Sequence, residues 1–176
     1  MLDLSSRELD GKTLGIVGTG TLGSAVANVG QAFGMRVIAA ELPGRTGHAG
    51  FIPRVPWTEV LALADVISLH CPLSDSTKNL INADALGKMR GDALRINTSR
   101  GGLVDSQALM NALQARKIGG AGIDVLPVEP PVYGDPLLEK RLPNLLITPH
   151  VAWAATESRQ RAVNEIVANI QAYREG

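Results

Sequence analysis

The apolar positions of this chain fall into short blocks separated by glycine, proline and polar residues, and the period changes from block to block. Leu14-Gly15-Ile16-Val17 is a continuous apolar run too short for a helix, which predicts a strand buried on both faces. Leu22, Val26, Val29, Gly30 and Phe33 follow at spacings that predict a helix with one apolar face. Arg36-Val37-Ile38-Ala39-Ala40 predicts a second strand. The stretch 42–50 is too rich in Gly and Pro for regular structure, and Pro53 and Pro56 then bracket a short extended piece. A helix is predicted over 57–64 and a strand over 65–69. Asn82 caps a helix through Met89, and 93–97 is another strand. Asp105 caps a helix to about Lys117, with Ala108, Leu109, Ala112 and Leu113 as its apolar face. Small residues fill the predicted strand 120–125, and the last strand, 145–148, stops at Pro149. The final helix covers about 154–173, with Val163, Ile166, Val167 and Ile170 as its stripe.

Strands alternate with helices throughout. That alternation predicts an α/β fold of the Rossmann type, a doubly wound parallel sheet with right-handed crossovers. In such a sheet ligands bind beyond the carboxyl ends of the strands. The loops at those ends are therefore where chemistry is expected.

Composition narrows the class. A chain of 176 residues, 45% hydrophobic, is expected to form one domain over 1–176 with a real core. Aromatic residues are only 3%, so that core must be Leu, Val, Ile and Ala. Lys plus Arg equals Asp plus Glu at 17 each, which gives no support to nucleic-acid or anionic-membrane binding. The lone cysteine, Cys71, excludes an intrachain disulfide and any multi-cysteine metal site, and fits a reducing cytoplasm. No signal peptide is expected, because the N-terminal residues lack an apolar segment, and no apolar run is long enough to predict a membrane span.

The chemistry begins at the first strand. Gly18, Gly20 and Gly23 fit G-x-G-x-x-G between a strand and a helix, the pattern of a dinucleotide-binding turn. Gly18 allows the tight turn, Gly20 lets backbone approach a pyrophosphate, and Gly23 lets helix and strand pack closely. Amides at the helix start, around Thr21 and Leu22, then face the phosphates with the positive end of the helix dipole. Glu41 ends the second strand 18 residues after Gly23, where such a unit places its ribose-binding carboxylate. A carboxylate there favours the 2′-hydroxyl of NAD. Arg45, four residues on, is either a solvated loop residue or a partner for the 2′-phosphate of NADP.

Three further groups lie just beyond strand ends: Arg100, Glu129 and His150. A hydride transfer to or from a nicotinamide needs a partner that moves a proton at the substrate oxygen, and histidine suits that near neutral pH. A carboxylate on the imidazole would orient it and raise its pKa. An arginine fork suits a substrate carboxylate. Taken singly, His150 also reads as a packing residue, Glu129 as solvated and Arg100 as half of an ion pair. Beside a dinucleotide turn, the set points to catalysis.

Several motifs in one order resemble the NAD-dependent D-2-hydroxyacid dehydrogenases. They are the glycine turn, Phe33-Gly34-Met35-Arg36-Val37, His70-Cys71-Pro72-Leu73, Ile96-Asn97-Thr98-Ser99-Arg100-Gly101-Gly102-Leu103-Val104-Asp105, Gly122-Ile123-Asp124-Val125 with Glu129-Pro130, and Thr148-Pro149-His150-Val151-Ala152-Trp153. The resemblance implies that Arg100 binds the substrate carboxylate and carbonyl, that Glu129 bonds the catalytic histidine, and that His150 is the acid/base. It also implies that Asp124 holds the nicotinamide carboxamide, and that Cys71, Pro72, Thr77 and Thr98 belong to the cofactor groove, which Arg100 and His150 also reach. Trp153 and Leu42-Pro43-Gly44-Arg45 look most like the glycerate dehydrogenase (hydroxypyruvate reductase) branch, with hydroxypyruvate and D-glycerate as substrates.

Members of that family carry a substrate domain of roughly a hundred residues before the glycine turn, a typical domain size. It is expected to be absent from this chain, whose own turnover should then be weak. Pairing into a homodimer through the nucleotide domain is implied. A non-enzymatic NAD-responsive module, and a phosphoglycerate or formate dehydrogenase, remain the alternatives.

Overall fold

A computed structural model of the chain describes residues 7–42, 48–49 and 52–175. Seven parallel strands form one sheet: β1 (Thr13–Val17), β2 (Arg36–Ala40), β4 (Ile52–Val55), β5 (Val66–Leu69), β6 (Leu94–Asn97), β7 (Gly120–Ile123) and β8 (Leu145–Ile147). A two-residue strand, β3 (His48–Ala49), adds antiparallel to β4, so the sheet order is β3-β4-β2-β1-β5-β6-β7-β8. The stretch predicted to be irregular thus contains β3, because its backbone finds an edge to pair with. Arg45 lies outside the described residues.

The chain runs outward from β1 to β2 and β4, then returns to the other side of β1 for β5. The reversal leaves a crevice at the carboxyl ends of β1 and β5, where the glycine turn sits. Crossing helices are α1 (Thr21–Ala32), α2 (Trp57–Leu63), α3 (Ala83–Lys88) and α4 (Ser106–Gln114), with α5 (Thr156–Glu175) last. α1 covers one face over β1, β2 and β4, where Leu14, Ile16, Ala27, Val37, Ala39 and Ile52 form a cluster. On the other face Val60 and Leu61 of α2, Ala85 and Leu86 of α3, and Leu109, Ala112 and Leu113 of α4 share a larger cluster with Val17, Ile38, Ile67, Leu69 and Ile123.

Helix ends follow side-chain chemistry. The Asn82 side chain accepts from the Ala85 amide and Asp105 from the Ala108 amide, as their N-cap positions require. α4 stops at Gln114 rather than near Lys117, because Arg116 turns left-handed (φ 51) and the Lys117 amide returns to the Ala112 carbonyl. The 120–125 and 145–148 strands each end earlier than predicted, at Ile123 and Ile147, since the residues that follow build the site.

Two helix faces differ from expectation. α1 buries Gly23, Ala27 and Gly30, while Leu22, Val29 and Phe33 stand exposed at 72%, 56% and 60%. The sheet approaches so closely that only small residues fit; a Cβ on Gly30 would stand 2.5 Å from a Leu14 methyl carbon. α5 buries no residue, and its stripe of Val163, Ile166, Val167 and Ile170 is open to solvent. Among the described residues no helix is long and apolar enough to cross a membrane.

One interior residue breaks the apolar pattern. Arg95 of β6 is wholly buried between Ile67 and Ala121 on the neighbouring strands, and none of its three guanidinium nitrogens has a hydrogen-bond partner. Burial alone pushes its pKa down to about 9.

Candidate active site

The strand ends are in register. Val17, Leu69, Asn97, Ile123 and Ile147 pair side by side across five strands. The next residue on each strand is Gly18, His70, Thr98, Asp124 and Thr148. Every candidate group lies on or shortly beyond this line, so one sheet edge carries the glycine turn, Arg100, Glu129 and His150.

At the turn, Gly18 has φ 97, and a Cβ there would stand 2.6 Å from the Cys71 amide nitrogen. A Cβ on Gly23 would run into the Gly18 carbonyl oxygen. Both glycines are demanded by the fold itself. Gly20 is different: it has an ordinary φ of −75, and a Cβ there would meet nothing within 4 Å. No internal contact requires its smallness, and it faces an open cleft. It is also the N-cap of α1 and caps with no side chain, leaving the first-turn amides around exposed Thr21 and Leu22 for an outside acceptor.

That cleft, about 300 Å³, is lined by Gly18, Thr19, Gly20, Ala40, Leu42, Arg54, His70, Cys71, Pro72 and the 74–77 loop. Thr77 is buried and shapes the loop: its hydroxyl donates to the Pro72 carbonyl and accepts from the Ser74 amide, each at 2.8 Å. Burial pushes the Cys71 thiol pKa up and the His70 pKa down, and His70 Nε2 meets Ser68 Oγ at 2.9 Å. Glu41 stands half-buried between the lining residues Ala40 and Leu42, its amide donating to the Val55 carbonyl, but is not itself on the wall. The turn, the bare amides and the unfilled space at Gly20 fit a dinucleotide pyrophosphate.

The other end of the edge is built around two carboxylates. Glu129 Oε2 lies 2.6 Å from His150 Nδ1, and its Oε1 accepts the Leu126 amide at 2.7 Å. Burial raises the Glu129 pKa, but the Leu126 amide and His150 outweigh it, so the carboxyl sits below its ordinary value. A carboxylate at Nδ1 accepts a hydrogen bond from the N–H of that nitrogen and leaves Nε2 to exchange a proton elsewhere. His150 adopts a left-handed backbone (φ 53). Asp124, 4% exposed, fixes that turn: its carboxylate accepts the Thr148 hydroxyl and the amides of Val151 and Ala152, the latter two at 2.9 Å. Burial raises its pKa, yet these donors together hold it below the ordinary value. A cavity of about 830 Å³ borders Asp124, Glu129 and His150.

Between the two ends lies the β6 loop. Thr98 and Arg100 are exposed, and the guanidinium donates to the Ser99 carbonyl at 2.8 Å. Asn97 folds the loop, donating to the Arg100 carbonyl and accepting the Ser99 amide. Ser99 Oγ then ties it to the Cys71 carbonyl at 2.9 Å. Sequence reading did not single out Asn97, Ser99, Thr148 or Arg54. The one available signal was Asn97 at a strand end, a residue type that bonds backbone two or three positions on.

The sequence model of the family described as D-isomer specific 2-hydroxyacid dehydrogenase, NAD binding domain, matches residues 2–152. The chain belongs to that family. Its cofactor is accordingly NAD. The chain is similar to glycerate dehydrogenase of Methylorubrum extorquens, at 45% identity over 94% of this chain and 51% of that protein. It is similar to hydroxypyruvate reductase of Blautia hydrogenotrophica, at 39% identity over 96% of this chain and 52% of the relative. Among solved structures, a D-isomer specific 2-hydroxyacid dehydrogenase from Lactobacillus delbrueckii in its NAD-complexed form aligns with TM-score 0.88 and 35% identity, covering 100% of this chain and 57% of that one. The chain thus spans about half the length of the curated relatives it matches.

Proposed function

We propose that this chain is the nucleotide-binding half, over 1–176, of an NAD-dependent oxidoreductase that interconverts a small 2-keto acid and a D-2-hydroxy acid. Hydroxypyruvate and D-glycerate are the favoured pair, in keeping with the names of two relatives near 40% identity or above. The observation that carries the reading is the 2.6 Å Glu129–His150 contact on the same sheet edge as the glycine turn.

When bound, NADH supplies the hydride that reduces the keto carbon. The chain's own groups do the rest. The first-turn amides of α1 and the Gly20 space seat the pyrophosphate, with Thr21, Leu22 and Gly23 opening the helix. Glu41 accepts from a ribose hydroxyl, Cys71, Pro72 and Thr77 wall the groove, and Thr98 joins them from the β6 loop. Arg100 holds the substrate carboxylate through its planar fork. His150 Nε2 gives a proton to the carbonyl oxygen during reduction and takes it back in the reverse direction, while Glu129 orients the ring. Asp124 holds the His150 turn, and three of the roughly four acceptor positions of a carboxylate are filled. The remaining one is available to the nicotinamide carboxamide. Pairing of two copies belongs to the same reading, supported by the apolar side chains that α1 leaves exposed.

The test uses the protein that carries this chain. His150→Gln is expected to abolish hydroxypyruvate-dependent oxidation of NADH while leaving calorimetric NADH binding within about threefold of the parent, since a proton-transfer group contributes roughly 10² or more to rate. Undiminished turnover in that variant would remove His150 from the chemistry and the proposal with it.

A further inference from the structure

The crossover from β7 to β8 is built differently from its neighbours. β5 reaches β6 through α3, and β6 reaches β7 through α4. Residues 124–144 contain no α-helix, only a single 3-10 turn over Pro136–Leu138. Pro127, Pro130, Pro131 and Pro136 account for this, since none of them has the amide that a helix interior needs. Buried Leu137 pins the segment to the larger core. The rest returns past β8 to its amino end without the cover that a helix would give. The cavity of about 830 Å³ is the space left along β8, within the roughly 300–1,000 Å³ of small-molecule sites.

Its walls are apolar. Leu126, Leu142, Leu145 and Ile147 are half-buried against the core, while Leu138 and Leu146 are exposed at 47% and 67%. Its two ends carry opposite charge. Asp124 and Glu129 lie at the carboxyl end of β8, and their oxygens are engaged, Glu129 by the Leu126 amide and His150, Asp124 by Thr148, Val151 and Ala152. Lys140 and Arg141 stand exposed before the amino end of β8, and neither has a hydrogen bond or ion pair with a described residue. An anionic group is therefore repelled at one end and met by free donors at the other. The body between must be apolar to gain from the leucines.

We infer that this cavity binds an amphipathic carboxylate, with its alkyl chain along β8 and its head group on Lys140 and Arg141. The cavity shares no lining residue with the cleft at the glycine turn, so the inference does not rest on the nucleotide seat proposed above.

The experiment titrates the chain at low salt with hexanoate, octanoate, decanoate and octanol by calorimetry. One saturable site is expected for octanoate. Affinity should rise about tenfold for every two methylenes added, the scale of burying them. Octanol should bind about fivefold more weakly than octanoate, because it lacks the charge that two exposed cations reward modestly. Lys140→Gln with Arg141→Gln should weaken octanoate about fivefold and leave octanol unchanged. Leu146→Asp should weaken both by about tenfold or more, and the double variant carries the test if L146D shows no cooperative melting. Absence of saturable octanoate binding would overturn the inference. So would octanol binding as tightly as octanoate, an affinity indifferent to chain length, or a double variant equal to the parent. Displacement of octanoate by NADH would put it in the nucleotide cleft instead, and an affinity that falls as the chain is concentrated would show a second copy covering the groove. Either result overturns the inference as well.

Discussion

Helices α1 and α5 carry the same signature in sequence, apolar residues three and four apart, and the fold treats them in opposite ways. α1 meets the sheet through Gly23, Ala27 and Gly30, with Val26 partly buried beside them, and leaves Leu22 and Val29 outside. α5 meets no other element closely enough to bury a residue, though its stripe is as regular. The difference teaches that a helix lying close against a strand is marked by small residues, because their missing side chains set the distance. Arg95 is the complement, a charged residue wholly inside while apolar ones remain outside. Period reports what a segment is able to bury. Neighbours decide what it does bury.

The largest effect is expected at the tight side of α1. Gly23→Ala places a methyl against the Gly18 carbonyl, so backbone has to move; we expect a loss of roughly 3 kcal/mol in urea unfolding, with NADH binding lost as well. A variant as stable as the parent would break the comparison at its first term.

Next is Arg95→Met, which replaces an unpartnered buried cation by an apolar side chain of similar length. Stability should rise by roughly 2 kcal/mol, within the range seen when buried charges are replaced. The parent should also respond to alkali. Its folded guanidinium is pushed down to about 9, well below the ordinary arginine range that the unfolded chain keeps, so between the two the unfolded state binds more protons. Stability therefore rises with pH above about 9, and below it the burial penalty is present in full. Melts from neutral to alkaline pH should show that rise in the parent and not in R95M. A destabilised R95M would mean that the cation has a partner in solution.

The smallest effect belongs to α5. Val163→Ser with Ile170→Ser should change the stability of this chain by less than about 0.5 kcal/mol, because exposed positions contribute little. A larger loss in chemical denaturation would show that the stripe is covered in solution and would sharpen the contrast with α1 into one of partner rather than of packing.

How much was legible follows the same logic. The glycine turn, the Asn82 and Asp105 caps and the alternation of strands with helices are local, and local spacing announces them. The site's candidate groups were legible because parallel strands must end at one edge, and the structure brings Glu129 and His150 together there. The ties that hold the loops were not legible. Thr148 reaches Asp124 across 24 positions, Ser99 reaches Cys71 across 28, and Arg54 reaches Thr19 across 35. The first two join neighbouring strands and the third spans β2 between β4 and β1, and a periodic pattern specifies none of these placements. The early stop of α4 is of the same kind, a left-handed Arg116 that no propensity favours.

The carboxylate of Asp124 has a consequence for recognition. By gathering a hydroxyl and two amides, it removes the freedom of the His150 turn during folding. A molecule arriving at the imidazole meets a ring whose direction is already set by Glu129. Its association there draws on contact energy without a further entropy loss from the protein, so the selectivity of that end depends on the shape and charge of the visitor rather than on its capacity to order the loop.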